Sequence, residues 1–122
     1  MEEKKTTLVL GASLKPERYA NMAVRKLRTH GHPVVAVGLR EGMIGDTPVL
    51  KAVPDGSKVH TVTMYLNAAN QEAWRKRVLA LHPRRIIFNP GAENPALAKE
   101  AELAGIEPME ACTLVLLSTG QF

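Results

Sequence analysis

At 122 residues and 45% hydrophobic, the chain is long enough for one domain around one core and too short for two, so residues 1–122 are read as a single domain. Its one cysteine, Cys112, excludes an internal disulfide framework and any multi-cysteine metal site, and no apolar run approaches the roughly 20 residues that span a bilayer. The formal charge of +4 calls for an anionic partner, whether a phosphorylated small molecule, nucleic acid or an acidic surface. The start, Met1-Glu2-Glu3-Lys4-Lys5, lacks the apolar segment of a signal peptide, and a cytoplasmic protein is expected.

In chain order, Thr7-Leu8-Val9-Leu10 predicts a first strand that runs into Gly11-Ala12-Ser13. Ala20, Ala23, Val24 and Leu27 then fall at helical spacing, in a pattern that begins around Arg18 and stops at Gly31. Val34–Val37, a continuous apolar run after His32-Pro33, predicts a second strand buried on both faces. From Gly38 to Lys58 the abundance of Gly, Pro and Asp predicts a long loop, with Val49–Val53 as its only short helix. Val59–Tyr65 predicts the third strand.

Asn67 or Asn70 caps the next predicted helix, whose stripe of Trp74, Val78 and Leu81 ends before Pro83. Trp74 is assigned to the core, and Arg75, Lys76 and Arg77 to the solvated face. Arg85–Phe88 predicts a fourth strand leading into Asn89-Pro90-Gly91-Ala92-Glu93-Asn94. Asn94 and Pro95 have the form of an N-cap and first position for a helix over Pro95–Ala104, closed by Gly105. A fifth strand is expected near Ile106–Glu110, followed by an apolar tail, Leu114–Leu117, whose form the pattern leaves open.

Strands separated by helices, each strand nearly all apolar, specify an α/β, Rossmann-like doubly wound fold: a five-stranded, mainly parallel sheet with helices on both faces. Ligands of such sheets bind beyond the carboxyl ends of the strands, which directs attention to Gly11–Arg18, Gly38–Arg40, Leu66–Asn70 and Asn89–Asn94. A strand ending on Gly beside a helix N-terminus suits a phosphate, because glycine admits it close to the backbone and first-turn N–H groups point at it. NAD-binding members of this fold place Asp or Glu after the second strand; this chain reads Val37-Gly38-Leu39-Arg40. Without that carboxylate, and with a guanidinium at hand, the site suits a phosphorylated ribose, carried by NADP and by coenzyme A. Arg40 as an ordinary solvated loop residue is the competing reading.

Several stretches together resemble the small stand-alone CoA-binding domain proteins, similar to the N-terminal domain of the succinyl-CoA synthetase alpha subunit. They are Val9–Ser13 with Pro16-Glu17-Arg18-Tyr19, Gly31–Val37 leading to Gly42-Met43-Ile44-Gly45, Val62–Asn67, Ile87–Asn94 and Glu110–Val115. The resemblance covers nearly the whole chain and implies a Rossmann-like fold that holds CoA by its pyrophosphate and phosphorylated adenosine. It implies that Gly11, Ala12 and Ser13 form the turn over the pyrophosphate, with Arg18 as a counter-charge. Gly38 and Arg40 match the region beside the ribose phosphate, where the synthetase domain has a Lys. Leu66 and Asn67 match its loop after the third strand, and Asn89, Gly91 and Glu93 the turn after the fourth. The short Gly-Ala-Ser turn departs from the longer Gly-rich turn of the synthetase.

The synthetase's phosphorylated His belongs to a second domain that 122 residues cannot hold. His30, His32, His60 and His82 show no spacing for a triad or metal site and are read as structural or solvated. Cys112 is read as a small buried hydrophobe, with a thiol facing the site as the alternative, and Glu93 as favouring the helix that follows it. The expected function is a non-catalytic CoA- or acyl-CoA-binding module acting as carrier, sensor or regulator. The alternatives are an NADP-binding module or reductase and a nucleic-acid-binding or scaffold protein. Nucleic acid is disfavoured because aromatics are only 4% and the clusters Arg75–Arg77 and Arg84-Arg85 read as solvated surface. Val115 to Leu117 and Phe122 offer apolar surface for a homodimer.

Overall fold

Four-residue apolar strands stacked in one register set the architecture, as seen in a computed structural model that describes residues 3–122. The strands are β1 (Thr7–Leu10), β2 (Val34–Val37), β3 (Gly42–Ile44), β4 (Thr47–Leu50), β5 (Thr61–Met64), β6 (Arg85–Phe88) and β7 (Glu107–Glu110). They form one sheet in the order β3-β4-β2-β1-β5-β6-β7, parallel throughout except for the β3–β4 pair. The six parallel strands taken in chain order lie 3-2-1-4-5-6, the doubly wound arrangement whose order reverses between β1 and β5.

The sheet therefore has seven strands, where the sequence pattern predicts five. The two additional strands, β3 and β4, form a hairpin inside the predicted loop, and Val49 and Leu50 belong to β4 instead of a short helix. Gly45, with φ of +59°, and Asp46 make the two-residue turn that hairpins favour. Ile44, Thr47 and Val49 are buried while Met43 and Pro48 face out, an alternation of period two that only a strand uses.

Helix α1 (Tyr19–Thr29) and helix α5 (Thr113–Ser118) cover one face of the sheet. Val9, Ala36 and Val49 meet Val24, Leu27 and Leu117 there. On the other face Leu8, Leu10, Val62, Met64, Ile86 and Phe88 pack against Val78 of α3 (Arg75–Leu81) and Leu97 and Ala101 of α4 (Pro95–Leu103). The alternation of Leu8, Val9 and Leu10 between the two faces explains why β1 is apolar without a break. The apolar tail is helix α5, and the helix expected after the third strand is split into α2 (Ala68–Gln71), a 3-10 turn (Glu72–Trp74) and α3. No helix among the described residues is long and apolar enough to cross a membrane.

The basic clusters are not a bare solvated face. Arg75 pairs with Glu72 and Glu100, and Arg77 donates to the carbonyls of Val53 and Pro54. Arg85 lies half-buried in β6, donates to Thr61 Oγ1 and stacks 4.5 Å from the centre of the Phe122 ring.

The pairings align Leu50, Val37, Leu10, Met64, Phe88 and Glu110 in one row, so the segments that follow these strands emerge along one edge. Two glycines at this edge test how tight it is. A Cβ on Gly38 would stand 2.1 Å from the carbonyl oxygen of Ala12, whereas one on Gly91 would meet nothing within 4 Å and suffer only from its φ of +91°. Gly38→Ala is expected to cost about 3 kcal/mol in urea unfolding, from a backbone clash that no rotamer relieves. Gly91→Ala should cost about 1 kcal/mol, the strain of the left-handed conformation alone.

Candidate functional site

The turn after β1 is held against both neighbouring strands. The N–H groups of Gly11 and Ala12 both donate to the carbonyl of Val37, each at 2.9 Å. A Cβ on Gly11, whose φ is +97°, would lie 3.1 to 3.2 Å from Tyr65 and Leu66 backbone atoms. Gly11 thus lets the turn settle onto the exit of β5, at the point where the strand order reverses. Two of the three residues expected to cradle a pyrophosphate spend their amides inside the protein; the donors left for a ligand begin at Ser13.

Those donors are numerous. Arg18 is the N-cap of α1 and makes no side-chain cap, and the first intrahelical bond is Met22 N–H to Arg18 C=O. The N–H groups of Tyr19, Ala20 and Asn21 are therefore the orphan donors of an uncapped helix, and those of Ser13 and Leu14 have no partner among the described residues. The loop that leads to them is tied down from α1. Asn21 Nδ2 donates to Ser13 C=O at 2.9 Å, and Arg25 donates through Nε to Asn21 Oδ1 and through its terminal nitrogen to Pro16 C=O. Asn21 is 3% exposed. Neither Asn21 nor Arg25 is among the sequence-derived site residues; an Asn inside the apolar stripe of α1, four residues before an Arg, is the signal that points to them.

After β2, Gly38 presses on Ala12, and residues 38–41 carry the chain across the end of β4 to the outer strand β3. Leu39 is 92% exposed, and Arg40, also exposed, pairs with no carboxylate among the described residues. Arg18 and Tyr19 are exposed at the start of α1. The edge thus carries Arg18, Arg40 and the open end of α1, all positive in character.

The remaining predicted residues shape the loops. Leu66 abuts Gly11, and Asn67 Oδ1 accepts from Asn70 N–H to cap α2. Asn89 is 2% exposed and entirely engaged: Nδ2 donates to Thr63 Oγ1 and Met64 C=O, and Oδ1 accepts from Thr113 N–H at the start of α5. Glu93 accepts from Gly91 N–H at 2.9 Å and closes its own turn, while Asn94 caps α4. The structure brings Gly11, Ala12, Gly38 and Leu66 together where the strand order reverses, with Ser13 next in the chain; Asn89, Gly91 and Glu93 build the next loop along the edge.

All four histidines sit at or before strand starts, on the opposite edge. His30 ends α1, His32 precedes β2, His60 precedes β5 and His82 precedes β6. The buried ring of His32 accepts from Lys5 N–H and packs 5.0 Å from Phe122. A hollow of about 120 Å³ beside them, lined by Lys5, His32 and Phe122, is far below the roughly 300 Å³ of an ordinary small-ligand pocket.

Cys112 is the residue before α5 and partly exposed, so it is not the fully buried hydrophobe expected. Beside it the Tyr65 hydroxyl is sealed from solvent with no hydrogen-bond partner among the described residues, near Thr63 and Thr113 hydroxyls that bond each other at 2.7 Å. Burial, then the neighbouring Cys112, pushes the Tyr65 phenol up to about 12. A folded value above the unfolded one favours the protonated, folded form; that stability is present below the unfolded value near 10 and lost as pH rises through 12. Tyr65→Phe is expected to leave stability at neutral pH within about 1 kcal/mol, since it deletes an unpartnered hydroxyl. It should also flatten the decline between pH 10 and 12, read by urea unfolding across that range.

Known proteins share this fold. A crystal structure of an uncharacterized protein is 41% identical and superposes with a TM-score of 0.94, over 99% of this chain and 100% of that one. A Thermus thermophilus protein is 27% identical with a TM-score of 0.84, covering 98% of this chain and 91% of its own. A hypothetical protein from Pyrococcus horikoshii OT3, 24% identical with a TM-score of 0.83 and coverages of 95% and 82%, shares the fold. No curated protein matches the chain. The family described as the CoA binding domain matches residues 5–118, and with nearly the whole chain inside that match, the protein belongs to the CoA-binding domain family.

Proposed function

We propose that the edge where β2, β1 and β5 end binds CoA or an acyl-CoA, and that the protein acts as a binding module, carrier or sensor rather than as a catalyst. The observation that carries this is the uncapped N-terminus of α1, which offers the unpaired N–H groups of Tyr19, Ala20 and Asn21 beside a glycine turn packed at the strand-order reversal. Ser13 and Leu14 add two donors to the same array. A pyrophosphate is the part of CoA that fits it.

Arg40 suits the ribose phosphate, since the three residues after β2, Gly38-Leu39-Arg40, hold no carboxylate and its guanidinium pairs with none among the described residues. Exposed Leu39 and Tyr19 leave apolar surface on the same edge for a purine. Bound CoA would present an acyl group as a thioester. The histidines are at the other edge of the sheet, and Glu93 is turned onto Gly91 N–H, so neither supplies a base to such a thioester.

NADP is the competing ligand, because it too carries a pyrophosphate and a phosphorylated ribose. Calorimetric titrations at moderate salt separate the two. CoA is expected to bind and NADP to bind at least about tenfold more weakly, and Ser13→Glu should abolish the heat of CoA binding by placing a carboxylate against the pyrophosphate. Arg40→Ala should weaken CoA about tenfold while leaving dephospho-CoA, which lacks the ribose phosphate, unaffected. A folded protein that gives no heat with CoA, or that prefers NADP, overturns the proposal.

A further inference from the structure

We propose that Gln71 is a positioning residue that locks the loops after β5 and β6 into the shape that receives the ligand; this rests on the edge where β2, β1 and β5 end being the CoA site proposed above. Gln71 ends α2 and is fully buried. Its Nε2 donates to Leu66 C=O at 2.8 Å and to Ala92 C=O at 2.7 Å, and its Oε1 accepts from Asn94 Nδ2 at 2.9 Å. Both amide hydrogens are used, and a flipped amide would set oxygen against two carbonyls and nitrogen against nitrogen. One orientation satisfies every partner.

The partners belong to different loops. Leu66 follows β5, Ala92 sits in the turn after β6, and Asn94 caps α4 through its other atom, Oδ1 to Leu97 N–H. No backbone hydrogen bond among the described residues joins 65–71 to 90–94, so Gln71 supplies the polar link between them. Its effect reaches the phosphate turn, because Leu66 is the residue on which Gly11 rests. A methionine of similar length would fill the volume and leave the buried Ala92 carbonyl, the part-buried Leu66 carbonyl and the Asn94 amide without this partner. Such a bond set holds a first layer of ligand contacts rigid before the ligand arrives.

The test compares CoA affinity, thermal stability and amide hydrogen exchange in wild type, Gln71→Met, Asn94→Ser and Leu117→Ala. Gln71→Met should bind CoA about tenfold more weakly and exchange faster across 66–71 and 90–94. Asn94→Ser retains a capping oxygen for α4 and loses only the donor to Gln71, so it remains folded and should weaken CoA about threefold. Leu117→Ala removes core contacts on α5 remote from both loops; it should lower the melting temperature yet keep CoA affinity within about twofold of wild type. Affinity and loop exchange unchanged in folded Gln71→Met, or in Asn94→Ser should the former not fold, overturn the inference. So does an affinity loss in Leu117→Ala that follows its lost stability, because the effect would then be general. If wild type itself takes no CoA, the site reading fails first and this inference with it; a failure confined to the variants removes this inference alone.

Discussion

Everything at the carboxyl edge of the sheet depends on how closely the backbone after β1 is packed between the exits of β2 and β5. Gly11 and Ala12 share the Val37 carbonyl, Gly38 leaves no room for a Cβ beside the Ala12 carbonyl, and Gly11 rests on Tyr65 and Leu66. Side chains at either glycine would push the strand ends apart. The close packing fixes the residues that follow, of which Ser13 and Leu14 have amides with no partner among the described residues, ahead of the uncapped end of α1. A binding surface made of backbone donors needs this order, because a backbone amide cannot choose a rotamer to correct a misplaced turn.

Around that turn the polar side chains form ties between elements rather than contacts left for a ligand. Asn21 and Arg25 hold the loop before α1, Asn89 joins β5, β6 and α5, and Gln71 with Asn94 joins the two loops beyond. Most of these ties reach a backbone carbonyl or amide in the loops and helix starts between the strands. The opposite edge is built differently: His32, Lys5 and Arg85 gather on the Phe122 ring, with aromatic and cationic contacts in place of open donors. One end of the sheet is closed by side chains, and the other keeps backbone donors without partners among the described residues.

Much of the frame was legible because parallel strands and amphipathic helices write themselves as unbroken apolar runs and stripes of period 3.6. β1, α1, β2 and β6 lie where those patterns put them, and Asn94-Pro95 opens α4 as its chemistry requires. The hairpin was not legible by composition, since Gly45, Asp46 and Pro48 read as loop residues. Gly45-Asp46 between alternating residues was the available sign, and Pro48 is tolerated because it precedes the two β4 residues paired to β2. The form of α5 could not be read, since four apolar residues in a row carry no period. At the site, glycines and Arg40 stand out locally, while Asn21 and Gln71 bond to carbonyls of other segments, and nothing in their own neighbourhood of sequence names those partners.

The central claim is that a CoA molecule lies on the backbone donors at the carboxyl edge of the sheet, and amide chemical-shift mapping by NMR during a CoA titration addresses it residue by residue. CoA bound there should give saturable shifts at Ser13, Leu14, Tyr19, Ala20, Asn21, Leu39, Arg40 and Leu66, with Lys5, His32, His60 and Arg85 unmoved. Shifts concentrated at that second group, or none at saturating CoA, would contradict it.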